Sequence, residues 1–412
     1  MNFIAPYILM LDKKLLIIGE AFYPEDFIIN DLAKEWSSQG YQVEVLTRNP
    51  SYPFGKIFEG YQNKIYQKTF FGEIPVHRVF VLQGYQKSKV IKILNYFSFV
   101  FFASLVSLWI GRKFDRVFVY QTGPLTVALP GNLIRILFNK KLTIWTQDLW
   151  PDTVYAYGFK KSKLFDKCLN WLVSFVYNNS DKIAVSCSGF TPKLSTFLKE
   201  EKTIQWIPNW PIIESTSLDP KVLPGRFNFT FAGNLGKVQN LENVLLAFKN
   251  ISIKHPEVWI NLIGDGSAMS SLKALVKNHE IKNINFVGRR PLMEMPDYFS
   301  GSDVLLISLV DSSIYEFMIP SKFQTYLNYE KPIFAIMKGE VPNMVKRYNL
   351  GIIADPNDID SIYQGFEAFL NLSRQDLDQM GSYSIDLLNS TFIREKNIEK
   401  LTKLTFEETC TV

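Results

Sequence analysis

Residues 303–335 read DVLLISLVDSSIYEFMIPSKFQTYLNYEKPIFA, and this stretch limits the fold more than any other. DVLLISL is an apolar run of strand length, residues 311–315 form a polar turn, and residues 332–335 are a second apolar run. A helical stretch over residues 322–329 lies between them. Two strands joined through a helix run parallel, since a parallel pair needs a crossover of about a dozen residues or more. That crossover is right-handed. Pro320 suits the first turn of the helix, where its missing N–H costs nothing, and Ser321 can accept from the free amides there. Lys322 adds a charge to the positive end of the helix, outside the core, which makes this end a candidate diphosphate site. The plain alternative is an ordinary crossover with an exposed lysine.

The same alternation recurs along the chain. KLLIIG (14–19), QVEVLT (42–47), DRVFVY (115–120), LTIWT (142–146) and KIAVS (182–186) are strand-length runs with helical or loop segments between them. Residues 28–39 read as a helix stopped by Gly40. The loop 49–60, rich in Tyr, Pro and Gly, is too long to be only a connector. Prolines then crowd residues 207–225, which read as a linker that lets two halves close on a ligand. Beyond it come NFTFA (228–232), VWINLI (258–263), INFV (284–287) and GIIA (351–354). Length and pattern together predict two α/β halves, 1–210 and 211–389, followed by a helix and tail, 390–412.

Charge divides unevenly. Residues 1–210 carry 25 Lys and Arg against 16 Asp and Glu, and the remainder carries 20 against 24. A basic first half points to an anionic partner, and a phospholipid surface fits as well as nucleic acid. Residues 93–111, nineteen without a charge between Lys89/Lys92 and Arg112/Lys113, reach the length of a membrane span. The strand at 115–120 must join the sheet of residues 14–19 and 42–47, so the chain cannot cross a bilayer between them. The segment reads as a helix partly buried and partly laid on a membrane surface. No secretory signal is seen at the N-terminus. Cys168, Cys187 and Cys410, with His77, His255 and His279, show no paired ligand spacing, so neither a disulfide framework nor a metal site is expected.

Several loops after strands carry polar groups. Residues 147–152, QDLWPD, place Asp148, Trp150 and Asp152 beside a strand's carboxyl end, where open α/β sheets hold their chemistry; helix capping by Asp152 with Trp150 in the core is the alternative. Gly264-Asp265-Gly266 lets backbone approach a ligand closely, though a GxG without a third glycine also makes an ordinary turn.

FAGNLGKVQNLENVLLAF, LIGDGS, FVGRRP, PSKFQTYLNYEKPIFA and GIIADPNDIDSI, together with FYPEDFIINDLAKEW, SYPFGKIFEGY, YQTGPLTVALP and TQDLWPD, resemble glycosyltransferase family 4 over roughly residues 14–400. The likeness is to its bacterial surface-polysaccharide, amino-sugar branch. It implies a GT-B fold, two Rossmann-like doubly wound domains facing a central cleft, with the C-terminal helix returning to the first. The first domain would bind the acceptor and the second the nucleotide sugar. The activity implied is retaining, metal-independent transfer, without a cofactor, of an N-acetylated amino sugar from a UDP-sugar to a polyprenyl-diphosphate-linked glycan of capsule or O-antigen. The enzyme would sit on the inner face of the plasma membrane, with anionic lipid and no nucleic acid as its partner.

By the same resemblance Gly233, Asn234, Lys237, Gly264, Gly266, Arg289, Pro320, Ser321, Gln324 and Thr325 would hold the donor, with Lys322 and Glu316 at the chemistry. Glu25, Asp26, Asn30, Tyr52 and Trp150 would face the acceptor, and Asp148 would contact it or handle its proton. The chain departs from the family where a Glu-x7-Glu pair is usual. Phe317 and Thr325 stand there, with Glu316 one position off. Asn234 and Gln239 replace the usual Arg and Lys, leaving Lys237, Lys322, Arg289 and the helix end for the donor's diphosphate. The loss of the Glu-x7-Glu pair keeps a catalytically inactive scaffold open as another reading. A nucleotide-sugar 2-epimerase shares the two-domain fold and is a further alternative, but it would not need a basic, aromatic membrane face. A DNA glucosyltransferase would line a groove with its charge instead of flanking an apolar helix.

Overall fold

The computed structural model describes residues 13–156, 159–212 and 219–407. Residues 213–218 of the expected linker, Cys410 and the end of the tail lie outside them. The chain forms two compact units, one running to Pro208 and resuming at Glu395, the other Asn209–Arg394.

The first unit is built on β1 (Lys14–Gly19), β2 (Gln42–Arg48), β3 (Tyr66–Phe71), β4 (Ile74–Val79), β5 (Arg116–Gln121), β6 (Lys141–Thr146), β7 (Lys182–Val185) and β8 (Ile204–Trp206). They form one sheet ordered β3-β4-β2-β1-β5-β6-β7-β8, parallel except for the β3–β4 hairpin. β1 is paired on both sides, Leu15 against Val43 and against Arg116. Its residues Leu15 to Ile18 are fully buried, as a strand covered on both faces must be. The helices are α1 (Ile28–Ser38), α2 (Lys89–Ile110), α3 (Leu129–Phe138), α4 (Asp152–Ala156), α5 (Lys163–Asn178) and α6 (Phe190–Ser195). Ser88 caps α2 by accepting from the Ile91 N–H at 3.2 Å.

Helix α2 is long and apolar enough to cross a membrane. The strands on either side of it, β4 and β5, belong to one sheet with β2 and β1 between them, so the helix is a crossover and not a span. Its Asn95, Phe99, Ala103, Val106 and Ile110 enter the core.

The second unit holds β9 (Phe227–Ala232), β10 (Val258–Ile263), β11 (Ile284–Gly288), β12 (Val304–Ser308), β13 (Ile333–Ile336) and β14 (Gly351–Ala354), a parallel sheet ordered β11-β10-β9-β12-β13-β14. Around it lie α7 (Leu241–Lys254), α8 (Met269–Asn278), α9 (Met295–Ser300), α10 (Ser321–Leu327), α11 (Glu340–Arg347), α12 (Ile359–Leu370) and α13 (Arg374–Leu387). Edge-to-face aromatic packing closes one side, with Phe366 at 4.8 Å from Phe229 and 5.1 Å from Phe334.

The last helix, α14 (Arg394–Phe406), belongs with the first unit from Glu395 onward. Trp36 of α1 donates its indole N–H to Thr402 Oγ1 at 2.8 Å, and Tyr41 stacks on Phe406 with ring centres 3.9 Å apart. Each sheet reverses its strand order once, at β1/β5 and at β9/β12. Open α/β sheets bind ligands outside the carboxyl ends of strands at such a point.

Candidate functional site

The reversal in the first unit opens a cavity of about 190 Å³. Glu20 and Ala21 reach it from the end of β1, Arg48 from β2, Thr122 and Gly123 from β5, and Asp148 from β6. Helix α2 closes one wall with Lys92, Asn95 and Tyr96, and Tyr52 and Tyr85 come from loops. Arg48 lies 3.2 Å from Glu20 and 3.7 Å from Glu25, all three buried. Burial raises the Glu20 carboxyl above the usual range, and Arg48 opposes that. Asp148 Oδ2 accepts from the Gly123 N–H at 2.6 Å. Burial still pushes this carboxyl up to about 6, against the pull of that N–H and of Lys92.

Three buried polar atoms on cavity residues lack a hydrogen-bond partner among the described residues: Arg48 Nε, Tyr85 Oη and Asn95 Oδ1. An unmade buried bond costs about 1–3 kcal/mol, so three around one cavity mark a place shaped for a polar ligand. Tyrosine faces, an amide, a guanidinium and a carboxylate suit a ring with hydroxyl groups.

The sequence-derived acceptor-side residues divide. Asp148 and Tyr52 line the cavity. Glu25 is committed to backbone, its Oε1 accepting from the N–H groups of Ser51 at 2.8 Å and Tyr52 at 2.6 Å. Asn30 ties down the 20–26 loop, donating to Glu25 O and accepting from the Tyr23 N–H. Asp26 is exposed, and Trp150 is half-buried but does not line the cavity. Lys92 is partly buried on the cavity wall and is not a headgroup-facing flank of α2. Glu20, Arg48, Tyr85, Asn95 and Tyr96 escaped the sequence reading. A helical projection of residues 89–110 would have found two of them, since Asn95 and Tyr96 sit one turn from Lys92 on the inward side.

In the second unit Lys322 is the centre. Helix α10 starts one residue earlier than expected and ends earlier, at Leu327. Pro320 is the residue before its first turn, Ser321 is the first helical residue, and no side chain caps it. Lys322 is not outside the core as the sequence suggested. It is mostly enclosed, its ammonium 4.6 Å from the centre of the Phe231 ring and donating to Gln239 Oε1 at 2.8 Å. Burial lowers it to about 8. Gly233 makes this possible, because a Cβ there would stand 2.6 Å from the lysine's Cε.

The glycines of the two neighbouring loops serve each other. The Gly233 N–H donates to Ile263 O and the Leu235 N–H to Asp265 O, both at 2.9 Å. A Cβ on Gly264, at φ +132°, would sit 1.9 Å from Gly233 O. Gly264→Ala is therefore expected to destabilise the protein by at least about 1–3 kcal/mol, read as a lowered urea midpoint. An unchanged midpoint would show that the two loops are not packed this way. Gly266 approaches Leu235 O and the Asn234 amide in the same manner.

Other donor-side candidates are spread around this end of the sheet. Lys237 lies in a single 3-10 turn whose Val238 O accepts from the Val310 N–H at 2.9 Å. Arg289 is exposed just past β11, and Gln324 is buried. Thr325 Oγ1 bonds back to Ser321 O within the helix. Glu316 sits half-buried in a 3-10 turn, with Gly339 close against its backbone.

Residues 219–386 match the family model described as Glycosyl transferases group 1. The chain is a glycosyltransferase. The matched stretch contains the Gly233, Gly264 and Lys322 cluster. The enzyme is 24% identical over 315 residues to a probable glycosyltransferase, WbjE, of Pseudomonas aeruginosa, covering 74% of this chain and 76% of that one. It is 21% identical over 387 residues to WcaI of Escherichia coli K12, a putative colanic acid biosynthesis glycosyl transferase, covering 88% and 93%. Among solved structures it superposes on HepE of Anabaena in complex with UDP and glucose with a TM-score of 0.68, 12% identity and 95% and 98% coverage. The enzyme has the GT-B fold, two largely parallel α/β sheets with helices.

Proposed function

We propose that the enzyme transfers a sugar from a UDP-sugar held by its second unit to a lipid-linked glycan whose sugar enters the cavity of the first. It would act in bacterial surface-polysaccharide synthesis, in line with the colanic acid biosynthesis for which WcaI is named. The UDP complex of HepE supports the choice of nucleotide. The observation that carries the proposal is that each unit has a ligand-ready set of strand ends. One has an enclosed lysine inside a group 1 glycosyltransferase domain, and the other a carboxylate in a cavity where three buried polar atoms lack a partner among the described residues.

Departure of the nucleotide builds negative charge on its diphosphate. Lys322, helped by Lys237 and Arg289, stabilises that charge more in the transition state than in the ground state. Asp148 accepts a hydrogen bond from the acceptor hydroxyl, aligns it for attack and takes its proton as the new glycosidic bond forms and the bond from sugar to diphosphate breaks. The bond then forms on the face the nucleotide leaves, so configuration is retained. The acceptor stays in the membrane, and the enzyme meets it there as a peripheral protein whose binding weakens with salt.

The test is thermal stability of the full chain with UDP, UDP-sugars and GDP-sugars. A true donor at one hundred times its dissociation constant adds about 2.7 kcal/mol of stability. An equal shift with GDP-sugars, or none with any UDP compound, would overturn the choice of donor.

A further inference from the structure

Helix α2 exposes Val90, Leu94, Phe97, Phe101, Leu105 and Leu108, between 43% and 65% of each side chain. Their spacing of four, three, four, four and three residues draws one stripe along the helix. Its N-terminal end meets a second element, one that the sequence marks as an aromatic helix over residues 165–177 but does not link to a membrane. The Lys89 ammonium lies 5.4 Å from the ring of Phe159, which in turn stands 6.3 Å from Phe165 at the start of α5. From there α5 exposes Leu164 (75%) and Trp171 (66%). Residues 159–171 carry four lysines, all exposed, and one acid, Asp166, which is bonded to the Tyr155 hydroxyl.

We propose that α2 and residues 159–171 form one lipid-contact surface, occupied by an anionic bilayer. The inference rests on the membrane reading above and adds its second element. Charge complementarity chooses the occupant. Apolar side chains set among Lys89, Lys160, Lys161, Lys163 and Lys167 match the boundary between acyl chains and acidic headgroups, whereas a protein partner would need acids facing those lysines. Exposed apolar side chains this numerous are otherwise a liability in water. The inner face of the same helix gives Lys92, Asn95 and Tyr96 to the cavity, so the surface brings lipid to within one helix diameter of it. A lipid-anchored sugar can then enter the cavity without its chain leaving the bilayer.

The test is co-sedimentation of the full chain with vesicles of equal parts phosphatidylcholine and phosphatidylglycerol. Three variants are compared: Leu164→Ser/Trp171→Ser, Lys160→Gln/Lys161→Gln/Lys163→Gln, and Phe97→Ser/Phe101→Ser. Each substitutes exposed or half-exposed side chains, and an unchanged melting temperature confirms the fold. The first is expected to lower partitioning at least about tenfold, and the second about fivefold per lysine, with the loss confined to low salt. Should the first two partition like the parent while the Phe97/Phe101 variant falls, residues 159–171 are not a contact and the α2 reading stands alone. If none of the three falls, the membrane reading itself is wrong. Concentration-dependent dimerisation without lipid, abolished by Leu164→Ser/Trp171→Ser, would put a second copy on this surface and overturn the proposal.

Discussion

Asp148→Asn lowers turnover by about 10²–10⁴-fold while leaving the protein at least as stable at neutral pH. The two halves of this expected result have one cause. Burial raises the Asp148 carboxyl from 3.8 to about 6, so the folded chain holds the charged form at a cost. The stability of the protonated form is complete below about pH 4 and is lost as pH rises through about 6. An amide is neutral throughout and can still accept from the Gly123 N–H, so the variant escapes that loss. Turnover of the parent should rise through pH 6 as the carboxylate forms and begins to accept from the acceptor hydroxyl. The check is a pH–rate profile beside melting curves for both proteins. A variant that is less stable, or that keeps most of its turnover, would make Asp148 a structural residue of the 147–152 loop.

Removing the charge of Lys322 gives the second large effect. Lys322→Met keeps the stem over Phe231 but leaves nothing to hold the departing diphosphate. A charge-assisted bond of about 1.5–3 kcal/mol corresponds to a loss of about 10- to 150-fold in turnover. Lys322→Ala should lose as much turnover and also melt lower, because the Gln239 carbonyl is left unpaired and the stem's packing is lost. Lys322→Arg should recover little, since the site is fitted to a point charge with Gly233 against the stem. In the free enzyme the lysine titrates near 8, so UDP affinity should weaken above that pH as the neutral amine takes over. Calorimetric titration of UDP from pH 7 to 9 reads this. A flat affinity across that range, or an affinity that Lys322→Met leaves unchanged, would place the diphosphate elsewhere.

How much of this was legible in the sequence varied with the kind of fact. Strands covered on both faces announce themselves, because KLLIIG, VWINLI and DVLLISL have no polar side to hide. The β3–β4 hairpin did not, since YQKTFF alternates weakly and only its last residue is buried. Helix α2 was legible as a non-span from order alone, because the strands after it had to rejoin the sheet. Its inward polar residues were not, for the apolar run masks Asn95 and Tyr96 unless the helix is turned face by face. The candidate site was half visible. Asp148 and Lys322 stand after apolar runs, where strand order alone points. Their surroundings depend on residues far along the chain: Phe231 beneath Lys322, Gly123 beside Asp148, Glu20 beside Arg48. Glu25 shows the opposite error, a carboxylate promising in sequence whose oxygen is taken by two backbone N–H groups.

The most direct measurement of the central claim is UDP release from a UDP-sugar with and without a lipid extract carrying polyprenyl-diphosphate glycans. Anomeric configuration of the product is read by NMR. The account predicts release that depends on the extract, falls at least tenfold in both Asp148→Asn and Lys322→Met, and yields a linkage of the donor's own configuration. Release that is equally fast without the extract, or that both variants sustain, would contradict it.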